Sequence, residues 1–174
     1  RVEMGQFIKR DMRVLLPIGI GIMLIFLLSC FKRGRGVVLP FLVVLMSIIV
    51  SIGLIVLFGW KIHTVTIILP IMLIAIANDY GIHMIAKYQE DNTPENDFSP
   101  KTLAERMFES LGRPIFLTGV TTMAGMLCLL GHILVPAQQL GVLAALGIVF
   151  ALAASLFFIP ALISLLPRSK PVLT

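Results

Sequence analysis

Five long apolar blocks divide this sequence, and they constrain its fold more than any other feature. The blocks cover residues 15–31, 37–58, 65–85, 115–134 and 140–166. A helix needs about 20 apolar residues to cross a ~30 Å hydrocarbon core at a rise of 1.5 Å per residue. Charged residues make up only 13% of the chain, against roughly 25% in a soluble domain. The sequence therefore predicts an all-α, polytopic transmembrane helical bundle with five membrane-spanning helices.

The longest polar stretch, residues 87–110, separates the third block from the fourth and is predicted to contain a short helix. Ser99 is a suitable N-cap, and Pro100 is favoured at the first helical position. The apolar residues that follow at helical spacing are Leu103, Ala104, Met107, Phe108 and Leu111. They predict a short amphipathic cytoplasmic helix on the membrane surface, with packing against the protein's own loops as the alternative. The preceding loop, residues 90–97, is predicted to be mobile because it has no apolar anchors.

Prolines and small residues refine the helix predictions. Pro17 and Pro40 each fall in the first turn of an apolar block, where the missing N–H is tolerated. Pro160 lies inside the last block and is predicted to kink that helix. The same block carries small residues that allow close helix packing: Gly141, Ala144, Ala145, Gly147, Ala151, Ala154 and Ser155.

Basic residues at the ends of the blocks predict the orientation of the bundle. Five spans put the N-terminal stretch and the second and fourth loops on one side, where the Lys and Arg residues are Arg1, Lys9, Arg10, Arg13 and Lys61. The other side holds Lys32, Arg33, Arg35, Lys87, Lys101, Arg106, Arg113, Arg168 and Lys170. Because the more basic side faces the cytoplasm, the C-terminus is predicted to be cytoplasmic. The basic residues before the first span favour the opposite orientation. Their influence on orientation is smaller if they follow a large translocated domain.

Several function classes find no support in the sequence. The net charge of +5 comes mostly from residues that flank apolar blocks, which membrane orientation explains better than nucleic-acid binding. No span carries a nucleophile with a base, metal-ligand spacing or a phosphate-binding loop, so neither an enzyme nor a metal or cofactor site is predicted. Cys30 and Cys128 lie in different blocks and are predicted to be buried apolar residues.

Asp79 is the one acidic residue inside an apolar block. A carboxylate at the centre of a membrane helix costs roughly 2.5–3.5 kcal/mol on insertion scales. A bound proton, a buried polar partner or a water-filled cavity must compensate for this cost, and each makes the site sensitive to protons or ions. The alternative is a structural aspartate that reaches toward the cytoplasmic headgroups.

Polar neighbours accompany Asp79 on its helix and on the next one. Ala75 and His83 lie four residues away on either side and share its face, while Asn78 and Tyr80 flank that face. His83 is able to pass a proton toward the cytoplasm because imidazole titrates near neutral pH, although a plain interfacial histidine is the alternative. The fourth block carries a stripe at helical spacing, Thr118, Thr121, Thr122 and Gly125. These hydroxyls are able to bond a carboxylic acid or a water, or to bond back to their own backbone.

The order of these features resembles the resistance-nodulation-division superfamily, in particular the lipid-exporting branch with the mycobacterial membrane protein large transporters. The motifs that carry the resemblance are GWKIHTVT at 59–66, Leu69-Pro70, ANDYGIH at 77–83, YQE at 88–90, GRPI at 112–115, Thr118 with Thr121-Thr122, and PAL at 160–162. The resemblance covers nearly the whole chain. One position departs from it, since the family usually has glycine four residues before the aspartate and this chain has Ala75.

The resemblance implies a proton-motive-force-driven exporter of lipids or other hydrophobic or amphiphilic compounds. In that family each half has one helix, a large extracytoplasmic domain and five further helices, so this chain looks like helices two to six of one half, excised from a longer chain. Asp79 and Tyr80 would then be proton-relay residues, with Asn78, His83 and the three threonines as candidate partners. The implied surroundings are the lipid bilayer, protons, a second half, an extracytoplasmic domain and a hydrophobic substrate, in a bacterial inner membrane.

Two other readings share this helix arrangement. One is a sterol-sensing-like or structural membrane module that transports nothing, and the other is a protein-translocation accessory of the same superfamily. Proton flux in the full-length protein distinguishes the first from an exporter. The Tyr80-to-His83 spacing resembles the lipid branch and disfavours the second.

Overall fold

The computed structural model describes residues 2–31, 34–60, 68–93 and 98–166 of the chain. Within these ranges the helices are α1 (Val2–Phe31), α2 (Gly34–Leu57), α3 (Ile68–Asp91), α4 (Pro100–Leu127), α5 (Val135–Ala153) and α6 (Ile159–Leu165). A 3-10 turn follows α4 at Cys128–Gly131, and a π-turn at Ala154–Phe158 joins α5 to α6. The described residues contain no strand, so the all-α prediction is confirmed.

Five helical segments are long and apolar enough to cross a membrane. They are Arg13–Phe31, Gly36–Leu57, Ile68–Asp91, Pro100–Gly131 and Val135–Leu165. Each contains most of one apolar block, because a run of about 20 apolar residues satisfies its backbone polar groups in lipid only as a helix. The protein is therefore an integral membrane protein with a five-helix bundle, as predicted.

The third and fifth spans form the centre of the bundle. Their apolar windows are 50% and 61% buried against other helices, compared with 17% for the first span and 11% for the fourth. α3 contacts α1, α2, α4 and α5, and α5 also contacts α2 and α4. α1 and α4 are peripheral, which explains why Cys30 and Cys128 are exposed and why the prediction that they are buried was wrong.

Small residues bring the fifth span into contact with its neighbours. All seven small residues that were predicted to pack there are buried. A Cβ atom added at Gly147 would lie 2.5 Å from Ser51 Oγ of α2 and 2.8 Å from Leu73 Cδ2 of α3. Glycine at this position therefore allows α5 to touch both helices at once.

The first two helices begin earlier than their apolar blocks. α1 starts at Val2, and α2 starts at Gly34, so Pro17 and Pro40 lie inside these helices rather than in their first turns. The prediction for both prolines was wrong because the flanking polar residues also adopt helical backbone. Membrane helices tolerate such interior prolines when neighbouring groups satisfy the freed carbonyls.

The end of α2 matches the predicted boundary and has a defined cap. Trp60 N donates to Ile55 O at 3.1 Å, and Gly59 N donates to Val56 O at 3.1 Å. Gly59 has a φ of 62°, a left-handed conformation that glycine adopts without steric cost. These features form a Schellman motif, which satisfies the last carbonyls of the helix.

The amphipathic helix predicted after Ser99 forms the first part of α4. Ser99 caps it as predicted, since its Oγ accepts a hydrogen bond from Thr102 N at 3.2 Å. The helix then continues through Pro114 to Leu127, so it is not separate from the fourth span. Leu103 is fully buried, which means that the apolar stripe packs against the protein, the alternative considered for this helix.

The connection before α4 and the last span also differ in detail from the predictions. α3 continues to Asp91, so it includes the start of the predicted mobile loop, whose residues 94–97 lie outside the described part. In the last span, a π-turn at Ala154–Phe158 precedes Pro160, and the kink predicted at that proline stays a prediction. Proline removes a backbone donor, and a local π adjustment is one way in which a membrane helix satisfies the freed carbonyl.

Candidate functional site

α3 leaves one narrow stripe of its surface uncovered, and the stripe contains the predicted carboxylate. Ala75, Asp79 and His83 are exposed at intervals of four residues, which places them on one helix face. Asp79 Oδ1 lies 3.5 Å from His83 Nε2, with side chains that are 57% and 59% exposed. The structure thus brings together Asp79 and His83 of the predicted relay on an open face.

Asp79 lies near the middle of its span. At 1.5 Å per residue it is about 17 Å from Ile68 at the start of α3 and about 18 Å from Asp91 at its end. Lys87 forms ion pairs near that end, with its Nζ 3.1 Å from Glu90 Oε1 and 3.2 Å from Asp91 Oδ1. The short Asp79 side chain cannot reach across the intervening two turns, so the carboxylate is held at the depth of the apolar segment.

Tyr80 and Asn78 point away from the open stripe into the protein. Tyr80 is only 1% exposed and is among the largest fully buried side chains of the described core. Its hydroxyl interacts with Thr122 of α4, but neither it nor Asn78 Oδ1 makes a hydrogen bond of ordinary geometry with the described residues. Both buried oxygens therefore have unused capacity to bind a water or a polar partner.

The three threonines of α4 use their hydroxyl protons within their own helix. Thr118 Oγ1 donates to Pro114 O at 3.0 Å, while Thr121 and Thr122 donate to Thr118 O at 2.9 and 2.8 Å. The hydroxyls therefore donate to the backbone of their own helix, which was the alternative considered for this stripe. Their lone pairs remain open as acceptors, and no hydrogen bond joins these hydroxyls to Asp79 or His83 in the described part of the chain.

A close helix contact that sequence reasoning missed fixes the position of the site. A Cβ added at Gly81 would lie 2.7 Å from Pro40 Cβ and 3.0 Å from Pro40 Cα. The backbone of α3 therefore touches α2 directly, on the face opposite to Asp79. A glycine two residues after the aspartate was the signal available in the sequence, but only the structure identifies its partner.

The site combines a carboxylate and an imidazole that are close enough to exchange a proton through a small movement or one water. No group of three His, Cys, Asp or Glu side chains is arranged to hold a metal ion within the described ranges. The geometry supports proton binding, with one face of the pair open to a further partner.

Comparisons with known proteins agree with this membrane architecture. A membrane protein of Methanocaldococcus jannaschii, MJ1562, is 28% identical over 163 residues, which cover 94% of this chain. The chain spans 42% of the length of that relative. The model of the MMPL family matches residues 2–173, nearly the whole chain. This protein therefore belongs to the MMPL family.

Proposed function

We propose that this chain is the membrane part of a proton-motive-force-driven exporter of lipids or other hydrophobic or amphiphilic compounds. Asp79 is the proton-carrying carboxylate, and His83 passes protons between it and the cytoplasmic side. The chain provides five helices of one half, and it works with a second half and an extracytoplasmic domain that receives the substrate. We place it in a bacterial inner membrane with a cytoplasmic C-terminus.

The observation that carries this proposal is the open Asp79–His83 pair on α3. Asp79 is 57% exposed although it lies about 17 Å from the start of a transmembrane helix. A carboxylate exposed to lipid at that depth is costly, by roughly 2.5–3.5 kcal/mol on insertion scales. A bound proton, a polar protein surface or a water-filled cavity must therefore offset this cost, and we assign the cover of the stripe to the second half of the transporter.

Proton passage at this pair supplies an energy of suitable size. One charge that crosses a potential of 100 mV yields roughly 2.3 kcal/mol before any pH gradient is counted. Binding and release of a proton changes the charge of the Asp79–His83 pair, and with it the cost of leaving the pair in an apolar contact. Protonation is thus coupled to the packing between halves, while the buried Tyr80 packs in the core behind the pair.

Replacement of Asp79 by Asn in the full-length protein tests the proposal. Asn keeps the size of the side chain but cannot ionise, so export and export-linked proton flux should both be lost, while expression and insertion stay normal. Asp91→Asn is the matched control on the same helix, because Lys87 keeps its second partner, Glu90. Wild-type export and proton flux in the Asp79→Asn protein would refute the relay and leave a non-transporting membrane module as the better account.

A further inference from the structure

A groove runs along the outer seam between α4 and the last span. Its inner section has a volume of about 650 Å³ and is lined by Phe116, Val149 and Leu152, among others. A second section of about 430 Å³ continues it toward the start of α4. Phe108 and Phe157 line both sections, with ring centroids 6.2 Å apart. Both volumes lie in the ~300–1,000 Å³ range of ligand-binding clefts.

Two opposite charges of α4 line the inner section without pairing with each other. Glu109 and Arg113 are both exposed and both line the groove. Their spacing of four residues favours a salt bridge on a helix, yet the ion pairs among the described residues involve neither of them. An anionic group can therefore bind at Arg113 and a cationic group at Glu109, within one helical turn.

The depth of these charges matches the layers of a lipid leaflet. From Arg113 to Gly131, at the far end of the span, the helix and its 3-10 turn measure about 29 Å, close to the ~30 Å hydrocarbon thickness. Arg113 thus lies at the hydrocarbon boundary when Gly131 lies at the opposite one. Glu109 lies about 6 Å further out, in the headgroup layer, and Phe116 lies on the hydrocarbon side.

We propose that this groove is a binding site for one amine-bearing zwitterionic phospholipid from the leaflet where α4 begins. An acyl chain lies against Phe116, Val149 and Leu152, the phosphate binds the Arg113 guanidinium, and the ammonium group binds Glu109. Such a lipid has its phosphate next to the acyl chains and its amine on the water side, which is the order of the two protein charges. A phospholipid without the amine would provide no positive group to pair with the Glu109 carboxylate, which would then lie close to the negatively charged phosphate.

The physical strength of each contact sets the expected selectivity. Guanidinium groups bind phosphate oxygens through two parallel hydrogen bonds, which makes Arg113 the stronger anchor. A single charge-assisted hydrogen bond contributes enough to change an affinity by about tenfold. The ammonium contact at Glu109 should therefore produce about a tenfold preference for the amine-bearing lipid over an anionic lipid with the same chains.

Gly112 provides a way to fill the groove without disturbing the fold. It lines the inner section, and the three atoms nearest to a Cβ added there all belong to the Phe108 ring, at an ordinary 3.9 Å. A Gly112→Leu side chain therefore projects into the groove rather than into the core. Gly125, on the same helix but outside the groove, has no atom within 4 Å of such a Cβ, so Gly125→Leu is its matched control.

Native mass spectrometry of the full-length protein tests the site, after equilibration with an equal mixture of phosphatidylethanolamine and phosphatidylglycerol of identical chains. The wild type should retain one phosphatidylethanolamine with about a tenfold preference. Glu109→Gln should remove that preference, Arg113→Gln should reduce retention of both lipids, and Gly112→Leu should abolish retention. Arg106→Gln, a change on the same helix outside the groove lining, and Gly125→Leu should match the wild type.

The wild-type measurement alone is able to overturn the proposal, because it does not depend on how the variants fold. Equal retention of the two lipids by the wild type would mean that the groove holds only the lipids that surround any membrane protein. A wild-type preference for phosphatidylglycerol would refute the assignment of Glu109 to the amine. Retention that falls equally in Gly112→Leu and Gly125→Leu would place the bound lipid outside the groove.

Discussion

Replacement of Gly147 by Ala should destabilise the bundle through a single close contact. The new Cβ would lie 2.5 Å from Ser51 Oγ, which belongs to a short buried side chain, and 2.8 Å from Leu73 Cδ2, which is able to rotate. Overpacking of this kind costs about 1–3 kcal/mol. Alanine offsets part of this cost, because it is favoured over glycine in a helix interior by roughly 1 kcal/mol. We therefore expect a net loss of up to about 2 kcal/mol in the free energy of unfolding.

A double-mutant cycle isolates the contact. Ser51→Ala removes the clashing oxygen, and that hydroxyl is buried without a hydrogen-bond partner among the described residues, so the change alone should be neutral or slightly stabilising. In the Gly147→Ala/Ser51→Ala protein we expect about 1–2 kcal/mol to be recovered relative to the sum of the single changes. Unfolding of the full-length protein in detergent micelles by sodium dodecyl sulfate, followed by circular dichroism, measures each value.

Gly125→Ala controls for helix propensity in the same experiment. No atom lies within 4 Å of a Cβ at that position, so this variant should be as stable as the wild type or more stable. If Gly147→Ala matched Gly125→Ala, or if Ser51→Ala recovered nothing, the contact between α5 and α2 would not limit stability and the reasoning would fail.

Three further predictions concern other contacts. Gly81→Ala should be less stable than Gly125→Ala by about 1–3 kcal/mol, because its Cβ would meet the backbone and ring of the facing proline of α2; equal stability of the two variants would contradict that helix contact. Ser99→Ala should cost about 0.5–2 kcal/mol through loss of the N-cap and speed amide hydrogen exchange at Thr102, whereas unaltered exchange would argue against the cap. Cysteines placed at Lys101 and Gln138 should label from the cytoplasm and from outside respectively, and labelling of Gln138 from the cytoplasm alone would reverse the topology.

The spans and several details of the site are local in origin, which is why the sequence predicts them. A block of apolar residues specifies a membrane helix by its length alone, and the Ser99 cap needs only the residues of one turn. The pairing of Asp79 with His83 follows from helical spacing. The burial of the small residues in the last span was predictable for the same reason, since they recur along one side of a helix.

What the sequence did not predict depends on contacts between segments that are distant in the chain. The sequence predicts a short helix that is separate from the fourth block. The structure instead has one continuous helix, α4, which passes through Pro114. The contact of Gly81 with Pro40 joins two helices, and hydropathy does not indicate which helices meet. The groove of α4 likewise requires knowledge that Phe108 faces Phe157.

The unbroken course of α4 through Pro114 has a mechanical consequence. About 20 Å of this helix, from Pro100 to Gly112, extends beyond the hydrocarbon boundary as a rigid continuation of the fourth span. A rotation of the span by about 10° about that boundary would move the tip at Pro100 by about 3–4 Å across the membrane surface. The overhang thus acts as a lever arm, which converts a small tilt inside the bilayer into a displacement that a fluorescent label at Lys101 is able to report.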